Sequence, residues 1–342
     1  MHILFLTIQN LRNTFWTRLK YENDSVGPMP VMDKNDISRG STWYEKPNGT
    51  GAFKLKTWQK DNLLVLERND SFYLAPGKVK NLVFKLYAGN TMQLYENGDI
   101  DLTPVSTQNL DKVLDSTNPL KKEVVSGAAY DIEYVGFNVT QAPLDDPNIR
   151  QALALALDVP KLIDVSLKGR AQIAAGYIPP GIPGNNPGLR PLSFDLEKAK
   201  QLIKQSKYQS ADKVPAITLY TPYAVTPVEQ AIIGMWQNLG LKVNTQVIST
   251  VDEYLARSHK KELQMWVGDW RADYIDPQNF LEILFQSQAT DNGFAYNNPA
   301  VDAALAKAAV EQDPAARIKL YQDIEKMVLA DLPAIDLLSF GA

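Results

Sequence analysis

The second half of the chain changes its hydrophobic period repeatedly between strand-like and helix-like spacing. Residues 217–220 have strand texture, the apolar positions of residues 228–239 recur at helical spacing, and residues 241–248 return to strand texture. Residues 226–229, Thr-Pro-Val-Glu, form a capping-box pattern with proline at the first helical position. A strand–helix–strand unit of this length predicts two parallel strands joined by a right-handed crossover.

The same hydrophobic patterns predict strands and helices along most of the chain. Strands are predicted near residues 53–56, 63–66, 82–86, 134–138 and 263–267. Helices are predicted over residues 147–157, 195–203, 299–311 and 314–329, most of them opening at Asp-Pro or another capping residue. The pattern therefore predicts that residues 131–333 form an α/β lobe and that residues 31–130 form a more β-rich segment. Residues 1–30 show no clear periodicity.

The strand predicted at residues 263–267 leads into the segment with the most distinctive chemistry. Residues 268–277 hold three carboxylates, one arginine and two aromatic residues, namely Asp269, Asp273, Asp276, Arg271, Trp270 and Tyr274. We expect this segment to be a loop at the carboxyl end of a buried strand, where open α/β sheets bind ligands. Carboxylates beside aromatic rings suit an organic cation such as a free amino group. The alternative is a polar surface loop in which Asp273 pairs with Arg271.

Composition narrows the classes of function. The chain has 342 residues, which predicts about two domains. Its net charge of −4 argues against a nucleic-acid or anionic-membrane partner. Cysteine is absent and the two histidines are His2 and His259, so a thiolate nucleophile, a histidine-centred metal site and a Ser-His-Asp triad are all disfavoured. His259 lies in a polar run and is expected to be solvated.

Targeting signals are not expected in the chain as written. No apolar run approaches the ~18 residues of a membrane-spanning helix. Residues 3–8 are apolar, but they lack the basic flank and small-residue cleavage site of a secretory signal.

A series of short motifs resembles the peptide-type solute-binding proteins of ABC importers, known as bacterial extracellular solute-binding family 5. Residues 270–277, W-R-A-D-Y-I-D-P, are similar to that family's W-x-x-D-Y-x-D-P element. Further matches, in chain order, are residues 47–53 with Trp58 and residues 66–69, residues 96–101, residues 136–158, residues 195–202, residues 296–302 and residues 313–321. The order and spacing of these motifs across residues 40–335 carry the resemblance.

The resemblance implies a two-lobe, type II periplasmic-binding-protein-like α/β fold, whose lobes are joined by a hinge and close over the ligand. Residues 31–130 would form part of the first lobe, residues 131–333 a complete second lobe, and residues 334–342 the start of the return to the first. Residues 1–30 do not resemble the family's opening segments and would be an atypical leader. We therefore expect a fragment whose first lobe is partial.

The resemblance also implies a function and a site. The chain would be a monomeric, extracytoplasmic subunit, periplasmic or on the cell surface, that captures peptides or similar amine-bearing solutes for ABC permease subunits, without a cofactor, a metal or catalysis. Asp273 matches the aspartate that pairs with a peptide's α-amino group, and Trp270 matches a neighbouring pocket aromatic. Tyr274 and Arg271 complete the predicted ligand-binding set. Residues 220–227 lack the arginine with which dipeptide-binding members hold the ligand's carboxylate.

Three alternatives remain open at this point. The first is that the chain is a remnant of an interrupted gene without a transport role. The second is that it binds a metal chelate or another solute on the same fold. The absence of cysteine and of a histidine near the motif argues against direct metal ligation. A glycosidase-like enzyme with Asp273 and Asp276 as paired carboxylates is disfavoured, because the two lie three residues apart and Asp276 is placed to open a helix.

Overall fold

The computed structural model describes residues 45–340, except Asn48, Ser126, Ala128, Lys168 and Leu192. The chain divides into two compact units between Val124 and Val125. The predicted leader, residues 1–30, and residues 31–44 of the predicted first-lobe segment lie outside the described residues.

The first unit is built on a three-stranded antiparallel sheet with the order β1-β2-β3. Its elements are β1 (Phe53–Gln59), β2 (Leu63–Arg68), β3 (Asn81–Lys85), α1 (Thr91–Glu96), α2 (Thr107–Leu114) and a 3₁₀ turn (Pro119–Glu123). The three strands confirm the sequence prediction, whereas α2 was not predicted. Among the described side chains of this unit, only Asn69, Met92 and Val113 are buried. The core of this part of the molecule is therefore thin.

The second unit contains a six-stranded mixed sheet with the order β5-β9-β4-β8-β6-β7. Its strands are β4 (Asp131–Phe137), β5 (Gln172–Ile173), β6 (Ile217–Pro222), β7 (Val243–Ile248), β8 (Met265–Arg271) and β9 (Ala334–Ser339). Strand β6 is parallel to both β7 and β8, which confirms the predicted strand–helix–strand unit, and β4 is antiparallel to β8 and β9. The carboxyl ends of β6 and β8 and the start of β4 thus lie at one edge of the sheet.

Helices cover both faces of this sheet. They are α3 (Pro147–Leu155), α4 (Val159–Leu167), α5 (Leu196–Gln205), α6 (Pro227–Asn238), α7 (Val251–His259), α8 (Gln278–Phe285), α9 (Pro299–Val310) and α10 (Pro314–Asp331). Alternate residues of β4 point to opposite faces. Val135 and Phe137 join a core with helices α3 to α6, and Ile132 and Tyr134 join a second core with α7 to α10. We call these the α3–α6 face and the α7–α10 face.

Helix starts follow the capping residues that the sequence supplies. The side chains of Asp146, Asp195, Thr250 and Asp313 each accept a backbone N–H of the helix they precede. Thr226 and Glu229 form the predicted reciprocal capping box of α6. Each such cap contributes about 1 kcal/mol by satisfying a donor that the helix leaves unpaired.

Two local expectations are corrected. Strand β8 runs to Arg271 rather than ending at residue 267, because β4 offers a partner for every residue from Met265 to Arg271. Residues 334–339 form β9 within this sheet, with Ile335 and Leu337 buried. His259 is not solvated, since its side chain is 17% exposed and its Nε2 lies 3.2 Å from the Asp291 carboxylate. Within the described residues, no helix combines the length and the apolar character needed to cross a membrane.

Candidate functional site

The chemistry-bearing segment lies at the sheet edge where β8 ends and β4 begins. Trp270 and Arg271 are successive residues of β8 and therefore point to opposite faces. Trp270 packs against the core of the α7–α10 face, and the alternation places Arg271 on the α3–α6 face. Asp273, beyond the end of the strand, is exposed and Tyr274 is half-buried. The structure thus brings Trp270, Asp273 and Tyr274 to one edge of the sheet and turns Arg271 to the other face.

Hydrogen bonds fix the short loop between β8 and α8. The Ala272 N–H donates to the Tyr130 carbonyl at 2.9 Å, which joins the loop to the start of β4. The Asp276 carboxylate accepts the Gln278 N–H at 2.9 Å and two bonds from the Arg317 guanidinium, at 2.8 and 2.9 Å. Asp276 is therefore committed to holding the loop in place.

Two residues at the start of α8 complete the site, and the sequence did not single them out. Asn279, fully buried, accepts the Trp270 indole N–H at 3.2 Å and the Asp273 backbone N–H at 2.9 Å. Its amide group donates to the Asp273 carboxylate at 3.4 Å. Gln278 accepts from the Tyr274 hydroxyl at 3.4 Å. The sequence feature that could have identified Asn279 was an amide residue directly ahead of the apolar residues Phe280 and Leu281, which are buried.

Acidic residues dominate the α3–α6 face of the same edge. Asp131, buried, accepts a bond from Arg271 Nη2 at 3.3 Å and the Phe340 N–H at 3.0 Å. Glu133 is the cross-strand partner of Asp269. Burial, together with the charges of Asp269, Asp131 and Glu229, raises the pKa of Glu133 to about 7. Crowded carboxylates of this kind make the local field negative.

This arrangement suits the binding of a cation better than acid–base chemistry on a substrate. An exposed carboxylate beside a tryptophan and a tyrosine offers an ammonium group a charge-assisted bond and an apolar wall. The second carboxylate of the motif, Asp276, is occupied by Arg317, so Asp273 and Asp276 do not form a catalytic pair. In the part of the chain that the structure describes, no cluster of three or more His, Asp or Glu side chains is arranged to hold a metal ion.

A separate concavity of about 380 Å³ lies at the opposite end of the sheet. Its polar side chains are bonded to their surroundings. The Arg150 guanidinium donates to the carbonyls of Leu144 and Leu332, and the Asp331 carboxylate accepts from Tyr296 and Asn298. These hydrogen bonds join Asp331 and Leu332, just ahead of β9, to the neighbouring elements, and the sheet edge at Asp273 remains the candidate site.

Comparisons with known proteins identify the family of the chain. Residues 14–292 match the family model described as bacterial extracellular solute-binding proteins, family 5 Middle. Heme-binding protein A of Haemophilus influenzae is 26% identical over 340 residues, covering 96% of this chain and 61% of that protein. The dipeptide-binding protein of Escherichia coli is 26% identical over 298 residues, covering 84% of this chain and 55% of that protein.

A solved structure extends the comparison to the fold. The periplasmic binding protein DppA of Helicobacter pylori, in complex with the peptide STSA, superposes with a TM-score of 0.78 at 26% identity, covering 91% of this chain and 62% of that one. The match shows the type II periplasmic-binding-protein fold. This chain spans about three fifths of the length of the relatives it matches. Because the family model matches most of its residues, the chain belongs to the bacterial extracellular solute-binding proteins of family 5.

Proposed function

We propose that the chain is the solute-binding subunit of an ABC importer that captures peptides or similar amine-bearing solutes for permease subunits. The observation that carries the proposal is the exposed Asp273 at the end of β8, whose backbone and carboxylate are both bonded to Asn279. The relatives named for dipeptide binding, and the H. pylori structure with its bound peptide, support the same class of solute.

Each proposed contact follows from the geometry of the sheet edge. The Asp273 carboxylate accepts a charge-assisted hydrogen bond from the ligand's ammonium group. Trp270 and Tyr274 form the apolar walls beside that group. Arg271, whose side chain is half-exposed next to Asp131, contacts polar groups of the ligand from the other face.

The proposal also covers catalysis, oligomeric state and cellular location. Binding at Asp273 requires no bond making or breaking, so the protein acts as a carrier and not as an enzyme. We infer a monomer. We also infer a location outside the cytoplasm, which the word extracellular in the family's description supports. The net charge of −4 gives no electrostatic attraction toward nucleic acids.

Haem is a second candidate ligand, favoured by the similarity to heme-binding protein A. Haem would use the same fold but not an ammonium contact, since it carries no amino group. Haem titration, followed by the Soret absorption band, therefore separates the two candidates.

The decisive experiment is calorimetric titration of the chain with Ser-Thr-Ser-Ala, with its N-terminus either free or acetylated. Asp273→Asn keeps the shape of the side chain but removes its charge, and should weaken binding of the free peptide by about 1.5–3 kcal/mol. Asp164→Asn, at an exposed position of α4, is the matched control and should bind as the unmodified chain does. Equal affinity of all three proteins for the free peptide would refute the role of Asp273. Haem binding without peptide binding would replace peptide with haem as the solute.

A further inference from the structure

A single buried amide joins the two principal residues of the candidate site. Asn279 Oδ1 accepts two N–H groups, from the Trp270 indole and the Asp273 backbone. Because both partners are donors, the atom they share must be the amide oxygen. The NH₂ group of Asn279 is then directed to the Asp273 carboxylate, where it donates to Oδ2 at 3.4 Å.

The position of this amide is set by the core and not by a ligand. Asn279 lies in the first turn of α8 and is 0% exposed, and the next two residues, Phe280 and Leu281, are also fully buried. If the amide moved, buried polar groups would lose their hydrogen bonds without gaining bonds to water. The free-energy cost of that loss holds the network in one arrangement. The indole of Trp270 and the carboxylate of Asp273 are therefore oriented before any solute arrives.

We propose that Asn279 is a positioning residue that gives the site its selectivity for a free ammonium group over an uncharged N-terminus. This inference rests on the proposed function. Asn279 acts through Asp273, because its amide fixes the direction in which the carboxylate presents its charge. A carboxylate held in a fixed direction gains more from an ammonium group than a mobile one does, because less ordering is needed on binding. An acetylated N-terminus has no charge and gains nothing from that orientation.

The test measures the ratio of affinities for free and acetylated Ser-Thr-Ser-Ala. In the unmodified chain we expect the free peptide to bind at least about tenfold more tightly. Asn279→Leu removes all three hydrogen bonds at similar volume and should reduce that ratio about fivefold or more.

A purely structural role would lower thermal stability without changing the ratio. Asn238→Leu, the same change at the exposed end of α6, is the control and should leave the ratio unaltered. An unchanged ratio in Asn279→Leu, with the free peptide still preferred by the unmodified chain, would overturn the inference and leave the proposed function intact.

A ligand-free measurement keeps the two proposals separable if the unmodified chain binds neither peptide. In that event the proposed function fails, and amide and indole exchange measured by NMR decides on Asn279 alone. The Trp270 indole proton, assigned with Trp270→Phe, should exchange with solvent about tenfold faster in Asn279→Leu than in the unmodified chain or in Asn238→Leu. Equal exchange rates in all three proteins would show that Asn279 does not hold Trp270.

Discussion

Arg317 and Asp276 form a two-bond ion pair that joins helix α10 to the loop ahead of α8. The guanidinium nitrogens donate to the two carboxylate oxygens at 2.8 and 2.9 Å, and the side chains are 25% and 29% exposed. The guanidinium also lies over the Tyr321 ring, 4.8 Å from its centroid. The hydrogen bond to Asp276 raises the pKa of Arg317. The loop that carries Asp273 is thus held from beneath by a helix whose start lies about 40 residues later in the sequence.

Replacing Arg317 with lysine should loosen this loop although the charge is retained. A lysine ammonium cannot reproduce the planar two-bond geometry or the stacking on Tyr321. We expect Arg317→Lys to lower the free energy of unfolding by about 1–2 kcal/mol in urea titrations. Lys319→Gln, which breaks an exposed pair with Asp323, is the control and should cost about 0.5 kcal/mol or less. Similar losses in the two variants would contradict the assignment.

Amidation of the ligand's C-terminus should change its affinity by less than about threefold. Residues 220–227 hold no arginine to pair with a carboxylate. Arg257 does lie beside Tyr220, with its guanidinium carbon 5.0 Å from the ring centroid. Its Nε, however, is paired with the Glu262 carboxylate at 3.4 Å. Calorimetry with Ser-Thr-Ser-Ala and its amide measures the difference directly. A loss of about tenfold or more would mean that a cation holds the carboxylate, and Arg257→Gln, Arg271→Gln and Arg170→Gln would identify it.

Local signals in the sequence were sufficient for the elements whose causes are local. Thr226 and Glu229 lie three residues apart and predict the start of α6 through their own hydrogen bonds. The apolar texture of β6 and β7 predicts their parallel pairing, because a single helix connects them. The motif containing Trp270 and Asp273 was also visible, because its residue types are unusual in one short segment.

Features that depend on distant partners were not visible. The extension of β8 to Arg271 depends on β4, which lies about 130 residues earlier in the chain. Strand β9 forms because β4 offers it a second edge, and no short-range pattern reveals that edge. The role of Asn279 appears only when α8 folds beneath the end of β8, so that one amide meets both Trp270 and Asp273.

Two glycines of the second unit should respond in opposite ways to alanine. A Cβ at Gly136, in β4, would lie 2.4 Å from Trp266 Cε2 and 2.9 Å from Phe294 Cε1, and both rings are buried. We expect Gly136→Ala to lower the free energy of unfolding by about 1–3 kcal/mol or more, because the rings cannot move into filled space. A Cβ at Gly234, in α6, would meet nothing within 4 Å. Gly234→Ala should therefore raise the free energy of unfolding by about 0.5–1 kcal/mol. Equal effects in urea titrations would show that the packing around Gly136 is loose.

The second unit should become less stable as the pH rises through neutrality. Glu325, on α10, is fully buried; its Oε1 accepts the Ile178 N–H at 2.9 Å, and its Oε2 has no hydrogen-bond partner. Asp336 Oδ2, on β9, is likewise buried without a partner. Burial raises the pKa of each carboxyl group to about 7, and the charge of Asp336 contributes to the shift at Glu325.

The sign of the effect follows from proton uptake. Between about pH 4 and pH 7 the folded chain holds protons on these groups that the unfolded chain has released, so the stabilisation is complete below about pH 4 and is lost progressively as the pH rises to about 7. We expect the free energy of unfolding to fall by about 1–3 kcal/mol between about pH 5.5 and pH 8. Asp336→Asn and Glu325→Gln remove one titrating group each and should flatten that fall. Asp323→Asn is the control, because hydrogen bonds from Lys319 and Lys326 lower the pKa of this exposed carboxylate and it should leave the slope above about pH 5.5 unchanged. A slope that persists in full in both buried-site variants would assign the pH dependence to other groups.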